Sequence, residues 1–171
     1  MRSRGWTAPP KASMPDYVFR PVTQADLPML AEWLRDPRVA EWWQGPDRQI
    51  ALVREDLADG LMRQVIALTR DLPLGYAQSY PAHHWPAPHF ADLPPDTVAL
   101  DVFGAPQGWG HGGAWLRALG DLLLQDASTL AIDPHPENLR AIRAYAKAGF
   151  SGDRMARDGE GSPVRVMTRR R

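Results

Sequence analysis

Four glycines fall within six residues in the stretch Gln107-Gly108-Trp109-Gly110-His111-Gly112-Gly113, between a strand-like run (Thr97 to Phe103) and a helix-like run (Ala114 to Gln125). Backbone stripped of Cβ atoms lets main-chain N–H groups approach a ligand closely and point the same way. The helix behind the turn adds unpaired N–H groups and the positive end of its dipole. Strand, glycine turn and helix in this order are built to hold an anion, most simply a phosphate or pyrophosphate. A glycine count alone also fits a flexible surface loop. The spacing is not that of a P-loop, because no Lys-Ser/Thr pair follows the last glycine. Nor is the setting that of a dinucleotide fold. That would need an acidic residue ending a second strand of a repeated βαβ unit, and Asp133, near the right distance, is followed by Pro134.

A chain of 171 residues suits one α/β domain with its own core, and a hydrophobic content of 44% argues against disorder. The absence of cysteine excludes disulfides, Cys-ligated metals and a Cys nucleophile. With 20 Lys plus Arg against 20 Asp plus Glu, nothing global favours nucleic acid or an anionic membrane as a partner. No apolar run approaches the ~20 residues of a membrane span. Arg2 and Arg4 are not followed by the apolar stretch of a secretory leader, so the default compartment is the cytoplasm. Residues 1–15 lack periodicity and read as a disordered lead, with Met14 as an alternative start. Residues 16–171 read as a single domain, a monomer or homodimer.

Within that domain, Tyr17 to Pro21 reads as a strand. Thr23-x-x-Asp26 is a capping-box-like helix start with Asp in place of Glu. Leu27, Leu30, Ala31 and Leu34 give an apolar helical face, and Pro37 closes that helix. Trp42-Trp43 lies in a connection before a second helix, Asp47 to Asp59, which Gly60 stops. Gln64 to Thr69 and Leu74 to Tyr80 read as a hairpin turning at Asp71-Leu72-Pro73. The loop from Pro81 to Pro95 holds five prolines and three histidines, a composition and length that mark a functional or mobile segment. Trp115, Leu116, Leu119, Leu122 and Leu123 read as the buried face of the helix behind the glycine turn. Thr129 to Ile132 is a strand, Asn138 to Ala148 a helix, and the chain ends in a hairpin around Asp158-Gly159. The expected class is α/β (α+β): a mixed, mostly antiparallel sheet of six to seven strands flanked by about four helices.

The motif Gln-x-x-Gly-x-Gly ahead of a helix resembles the acyl-CoA pyrophosphate loop of the GNAT superfamily of N-acyltransferases, whose element order also matches. A second segment, from Asn138 through Ala141, Tyr145 and Lys147 to Gly149-Phe150, resembles the family's N-x-x-A-x-x-x-Y-x-K-x-G-F helix. Leu74-Gly75-Tyr76-Ala77-Gln78-Ser79-Tyr80, Glu41-Trp42-Trp43 and Asn138-Leu139-Arg140-Ala141-Ile142 are similar to segments of the aminoglycoside 6′-N-acetyltransferases. Siderophore-lysine N-acyltransferases share much of this, and a non-catalytic acyl-CoA-binding module is a further alternative.

The resemblance implies acetyl transfer from acetyl-CoA to a primary amine, without metal. Such a reaction needs a group to take the ammonium proton, a donor to the developing oxyanion and support for the departing thiolate. By resemblance Asp101 is the base or amine anchor; it could instead only cap a turn. Tyr145 is the donor to the departing thiolate; it could instead be a core aromatic. Val102, Phe103, Gln107, Gly108, Trp109, Gly110, His111, Gly112, Gly113, Asn138, Ala144 and Lys147 are expected along the cofactor, with Asn138 also suited to capping its helix and His111 facing solvent. Trp42, Trp43, Gln78, Ser79, Tyr80, Asp133 and Glu160 are expected around a polycationic acceptor, which calls for carboxylates and aromatic walls; Glu160 also reads as an exposed turn acid. His83, His84 and His89 are too irregularly spaced to suggest a metal. Relatives in this branch often carry acids in the long loop. Here it has His, Pro and aromatics, which implies either weaker affinity for polycations or an altered range of aminoglycosides.

Overall fold

The computed structural model describes residues 16–171, so the lead expected over residues 1–15 lies outside the described residues. Strands β1 (Val18–Pro21), β2 (Arg63–Thr69), β3 (Leu72–Pro81), β4 (Val98–Gly104), β5 (Thr129–Ile132), β6 (Ser151–Arg157) and β7 (Pro163–Arg170) form one sheet in the order β1-β2-β3-β4-β5-β7-β6. Only β4 and β5 run parallel. Helices α1 (Leu27–Arg35), α2 (Pro37–Ala40) and α3 (Pro46–Asp59) follow β1; α4 (Gly112–Leu123) follows β4 and α5 (Leu139–Lys147) follows β5.

Strand alternation divides the core. Val65, Ala67, Ala77, Leu100, Leu130 and Met167 pack on Trp115, Leu116, Leu119 and Leu123 of α4 and Ile142 of α5. On the opposite face, Ile66, Tyr76 and Phe103 pack on Leu27, Leu30, Trp33 and Leu34 of α1, Val39 of α2 and Val53 of α3. Leu122, expected inward, is exposed: the stripe on α4 is narrower than the leucine count suggests.

Three local readings are corrected. Pro37 does not merely close the first helix. Asp36 accepts from the Arg38 N–H at 2.9 Å and Pro37 opens α2, the first helical position being where proline's missing N–H is harmless. The hairpin turns at Arg70-Asp71, both with positive φ (46° and 65°), and not at Asp71-Leu72-Pro73. A two-residue turn of that hand matches strand twist. Pro73 instead sits in β3 beside a register shift, where no ladder N–H is required. The capping box is present, with the Thr23 N–H donating to Asp26 Oδ2 at 2.8 Å, but it opens a short 3-10 turn (Gln24–Asp26) that leads into α1. Arg20 reaches the same carboxylate through two bonds of 2.8 and 2.7 Å, holding the acid well below its usual range, at about 2.

One feature of the sheet positions the site. β4 pairs with β5 only at Val98↔Leu130 and Ala99↔Ala131, while its other edge stays paired with β3 from Pro81 back to Gly75. From Leu100 to Gly104 the β5 side of β4 therefore has no strand partner, and its main-chain groups open into a cleft. Among the described residues no helix is long and apolar enough to cross a membrane.

Candidate active site

The cleft lies between the free edge of β4, the turn over residues 105–111, and α5, and is closed at one side by α2. Val102, Phe103, Gly104, Gly108, Trp109, Gly110, Gly112, Gly113, Asn138, Ala144, Tyr145 and Lys147 line it, and so do Trp42 and Trp43. The two tryptophans, expected with the acceptor, therefore share a cavity with the glycine turn. Trp43 packs edge-on against Phe103 at 5.0 Å and Trp42 lies 5.4 Å from the His135 ring. Phe103 is buried against Tyr76, so only its main chain is left to face the cleft.

The glycines serve distinct purposes. A Cβ on Gly108 would lie 1.9 Å from the Leu74 carbonyl oxygen, so its bareness lets the turn lie against β3 rather than against a ligand. A Cβ on Gly113 would lie 2.8 Å from Lys147 Cβ, so that glycine admits α5. Gly110 has φ +92°, the left-handed region. The Gly108 N–H donates to Ala105 and the His111 N–H to Gly108, which removes both from the expected cradle. Trp109, Gly110, Gly112 and Gly113 keep main-chain N–H groups without a main-chain partner, the last two in the first turn of α4. His111, expected to face solvent, is half-buried, with Nδ1 3.4 Å from the Tyr17 hydroxyl. Gln107 is exposed and ties the turn to β3 by donating to Pro73 O at 2.7 Å. Asn138 caps α5, accepting from the Ala141 N–H at 3.2 Å.

Sequence reasoning missed the cationic side of the cleft. The guanidinium carbons of Arg38 and Arg140 lie 4.3 and 4.1 Å from the Trp109 ring centroid, and Arg140 donates to Arg38 O at 3.0 Å. Arg143 lines the same cavity. Arg140, Arg143 and Lys147 recur at helical spacing on α5, a signal present in the sequence. Arg38 arrives from α2, and nothing local marks it. Four free N–H groups, a helix start and these cations suit a polyanion in a narrow cleft.

Gln78 and Asp101 are register partners on β3 and β4, and the Gln78 amide donates to Asp101 Oδ2 at 2.8 Å. The Tyr76 hydroxyl donates to Gln78 Oε1 at 2.7 Å, fixing the amide's orientation. Burial, then the nearby charge of Asp133, push the Asp101 carboxyl up to about 7, against the pull of Gln78, Tyr80 and His89. Burial raises the Tyr145 phenol above its ordinary value, and Asp101 and Asp133 raise it further, so it keeps its proton at neutral pH. Tyr80 stands on the same face as Gln78; Ser79 alternates to the opposite face and is buried there, which removes it from the expected acceptor pocket. Glu160 lies in an exposed turn, 4.0 Å from Arg48, outside the buried acidic cluster. His83 bonds main-chain oxygens of Leu93 and Pro94, His84 packs on Trp85 and His89 meets Asp133; the three do not converge. No group of three or more potential metal ligands occurs among the described residues.

A family model described as an acetyltransferase (GNAT) domain matches residues 22–157. The aminoglycoside N(6')-acetyltransferase type 1 of Klebsiella pneumoniae is 35% identical over 170 residues, spanning 90% of this chain and 83% of that protein. The structure of AAC(6')-Ib in complex with paromomycin and acetyl-CoA superposes with a TM-score of 0.76 at 35% identity, covering 91% of this chain and 93% of that one. Spermidine N-acetyltransferase from Vibrio cholerae, solved with CoA and spermine, shares the fold at 13% identity (TM-score 0.67; 89% and 94% covered).

Proposed function

The chain belongs to the GNAT acetyltransferase family, and from that premise we propose that it acetylates the 6′-amino group of an aminoglycoside, using acetyl-CoA, by direct transfer with both substrates bound. The observation that carries this reading is the placement on one strand of two features. β4 holds a half-buried carboxylate, Asp101, in its middle, and its end runs into a turn and helix start with four free main-chain N–H groups. The 35% identity to aminoglycoside N(6')-acetyltransferases across most of the chain supports the choice of acceptor. The lack of cysteine accords with transfer that forms no Cys-bound acyl enzyme.

The residues present fit the donor. Trp109, Gly110, Gly112 and Gly113 would receive its diphosphate on main-chain N–H groups, with Arg143 and Lys147 beside them. The open edge of β4 at Val102 and the α5 face at Ala144 would flank its arm. Bound acetyl-CoA supplies the thioester carbonyl and a thiol leaving group. Asp101 takes a proton from the acceptor ammonium at a carboxylate oxygen, with a pKa near 7 that suits a general base at neutral pH. Gln78 holds that carboxylate in place from the other side. The Tyr145 hydroxyl donates a hydrogen bond toward the sulfur. A phenol above its usual ~10 does not readily surrender its proton to a thiolate whose acid has a pKa near ~8.5, so Tyr145 stabilises charge without full transfer. Holding both substrates in one cleft supplies much of the rate. Use of this donor accords with work in the cytoplasm.

A thiol-release assay with acetyl-CoA and a panel of kanamycin- and ribostamycin-type acceptors tests the proposal, with the acetylated position read by NMR. Turnover with acetylation at the 6′-amine is expected. Absence of thiol release across the panel contradicts the reading.

A further inference from the structure

The long loop after β3 was expected to be functional or mobile, and its three histidines do not converge on one point. It is well packed. Phe90 is fully buried with Ala82, Ala99 and Ala131, and Arg154 on β6 donates to His89 O at 2.8 Å and Asp92 Oδ1 at 3.0 Å. The backbone at residues 88–90, a 3-10 turn, is thus held from two sides. This anchoring delivers His89, only 6% exposed, so that Nε2 lies 2.8 Å from Asp133 Oδ2, in close contact but off the line of a hydrogen bond. Nδ1 is buried without a partner. A buried unpaired nitrogen is destabilising, and an apolar side chain would fill this volume without that loss. Packing alone therefore does not account for a histidine here.

Asp133 follows the last residue of β5 on the segment leading to α5, beside the point where β4 and β5 part, and its side chain is 21% exposed. Its charge is felt by both Asp101 and Tyr145. The contact engages Oδ2 and leaves Oδ1 for another partner.

We propose that His89 is a positioning residue for the acceptor: its imidazole fixes Asp133 as a second anionic contact for substrates carrying more than one ammonium group. The inference rests on the amine-acetylating reading. Asp101 meets the reacting amine, while Asp133, held by His89, meets a second one. A loop histidine thereby sets the preference for polycations through one oriented carboxylate, in a loop that has few acids of its own.

The test compares kanamycin, which carries several ammonium groups, with 6-amino-6-deoxyglucose, which carries one. His89→Ala should raise KM for kanamycin about tenfold, the scale of one oriented polar contact, with kcat changed less than about threefold. KM for the single-amine sugar should move less than about twofold. His89→Gln, whose amide reaches the same carboxylate, should restore most of the loss. In an Asp133→Asn background, His89→Ala should add nothing further. Equal KM rises for both acceptors, an additive double mutant, or an unchanged kanamycin KM overturns the inference. Absence of wild-type turnover would count instead against the acetyl-transfer reading. Calorimetric binding of kanamycin to wild type and His89→Ala then still decides, with equal affinities overturning the role of His89.

Discussion

As the proposed base, Asp101 is placed where function works against the stability of the fold. Its carboxyl, pushed up to about 7 by burial and by Asp133, accepts the amine's proton only when ionised. The kcat/KM for the acceptor should therefore climb as pH rises through about 7, and a profile flat from pH 5 to 8 would contradict the base assignment. The stability effect has the opposite sign. A folded-state pKa above the unfolded 3.8 means that the folded chain binds the extra proton. Its stability is fully present below the unfolded pKa and declines as pH rises through the folded one. Asp101→Asn should accordingly raise Tm by several degrees at pH 8, with the gain shrinking as pH falls toward 4, in thermal melts across that range. Tyr145→Phe removes a hydrogen bond to the leaving sulfur and should lower kcat by about ten- to a hundredfold while acceptor KM changes little; an unchanged kcat would reduce Tyr145 to the packing role its neighbour Phe150 has. Tyr145 was proposed from its offset within the Asn138-to-Phe150 motif, and Asp101 by a resemblance that needs a gap between it and the glycines. His89 and Arg38 were not, since each acts on a partner far along the chain, Asp133 and Trp109, that only the folded sheet brings near.

The glycine turn is an element in which four similar residues carry unequal loads. Gly108→Ala drives a methyl into the Leu74 carbonyl, a main-chain obstacle with nowhere to move, and should fail to fold or lose more than about 3 kcal/mol in urea unfolding. Gly110→Ala meets no neighbour and carries only the strain of φ +92°, a loss nearer ~1 kcal/mol. Comparable losses in the two variants would show that the turn does not lie on β3 as described. The sequence announced the turn but not which glycine faced protein and which faced the cleft, because that depends on β3 and α5 packing from either side. The helix following it was likewise legible, though its start was placed two residues late, at Ala114 instead of Gly112, because glycine propensity hides a first turn that tertiary contacts enforce. Pro37 misled for a similar reason: proline ends one helix and opens the next equally well, and Asp36 as a cap decides for the latter.

At the scale of the molecule, the parting of β4 from β5 after Ala99 is what makes a catalyst of this sheet. Full pairing would close the cleft and cover the free edge at Val102. Element order, α2 apart, followed from periodicity and turn residues; the parting did not, because strands that pair and strands that splay share one hydrophobic pattern. Because the cleft joins the β4 edge to α5 and α2, a ligand spanning it should hold the halves together. Acetyl-CoA at a hundred times its Kd adds about 2.7 kcal/mol, and Tm should rise by about 5–10 °C; no shift at saturation would argue that the cleft is not its site. The central claim is that one strand presents a base to the acceptor and an anion cradle to the donor as separable parts. The most direct test is to measure, for Asp101→Asn, both kcat with kanamycin and the calorimetric Kd for acetyl-CoA. A fall in kcat of about 10²–10⁴ with Kd within about threefold of wild type is expected. Equal loss of donor binding, or undiminished turnover, would contradict it.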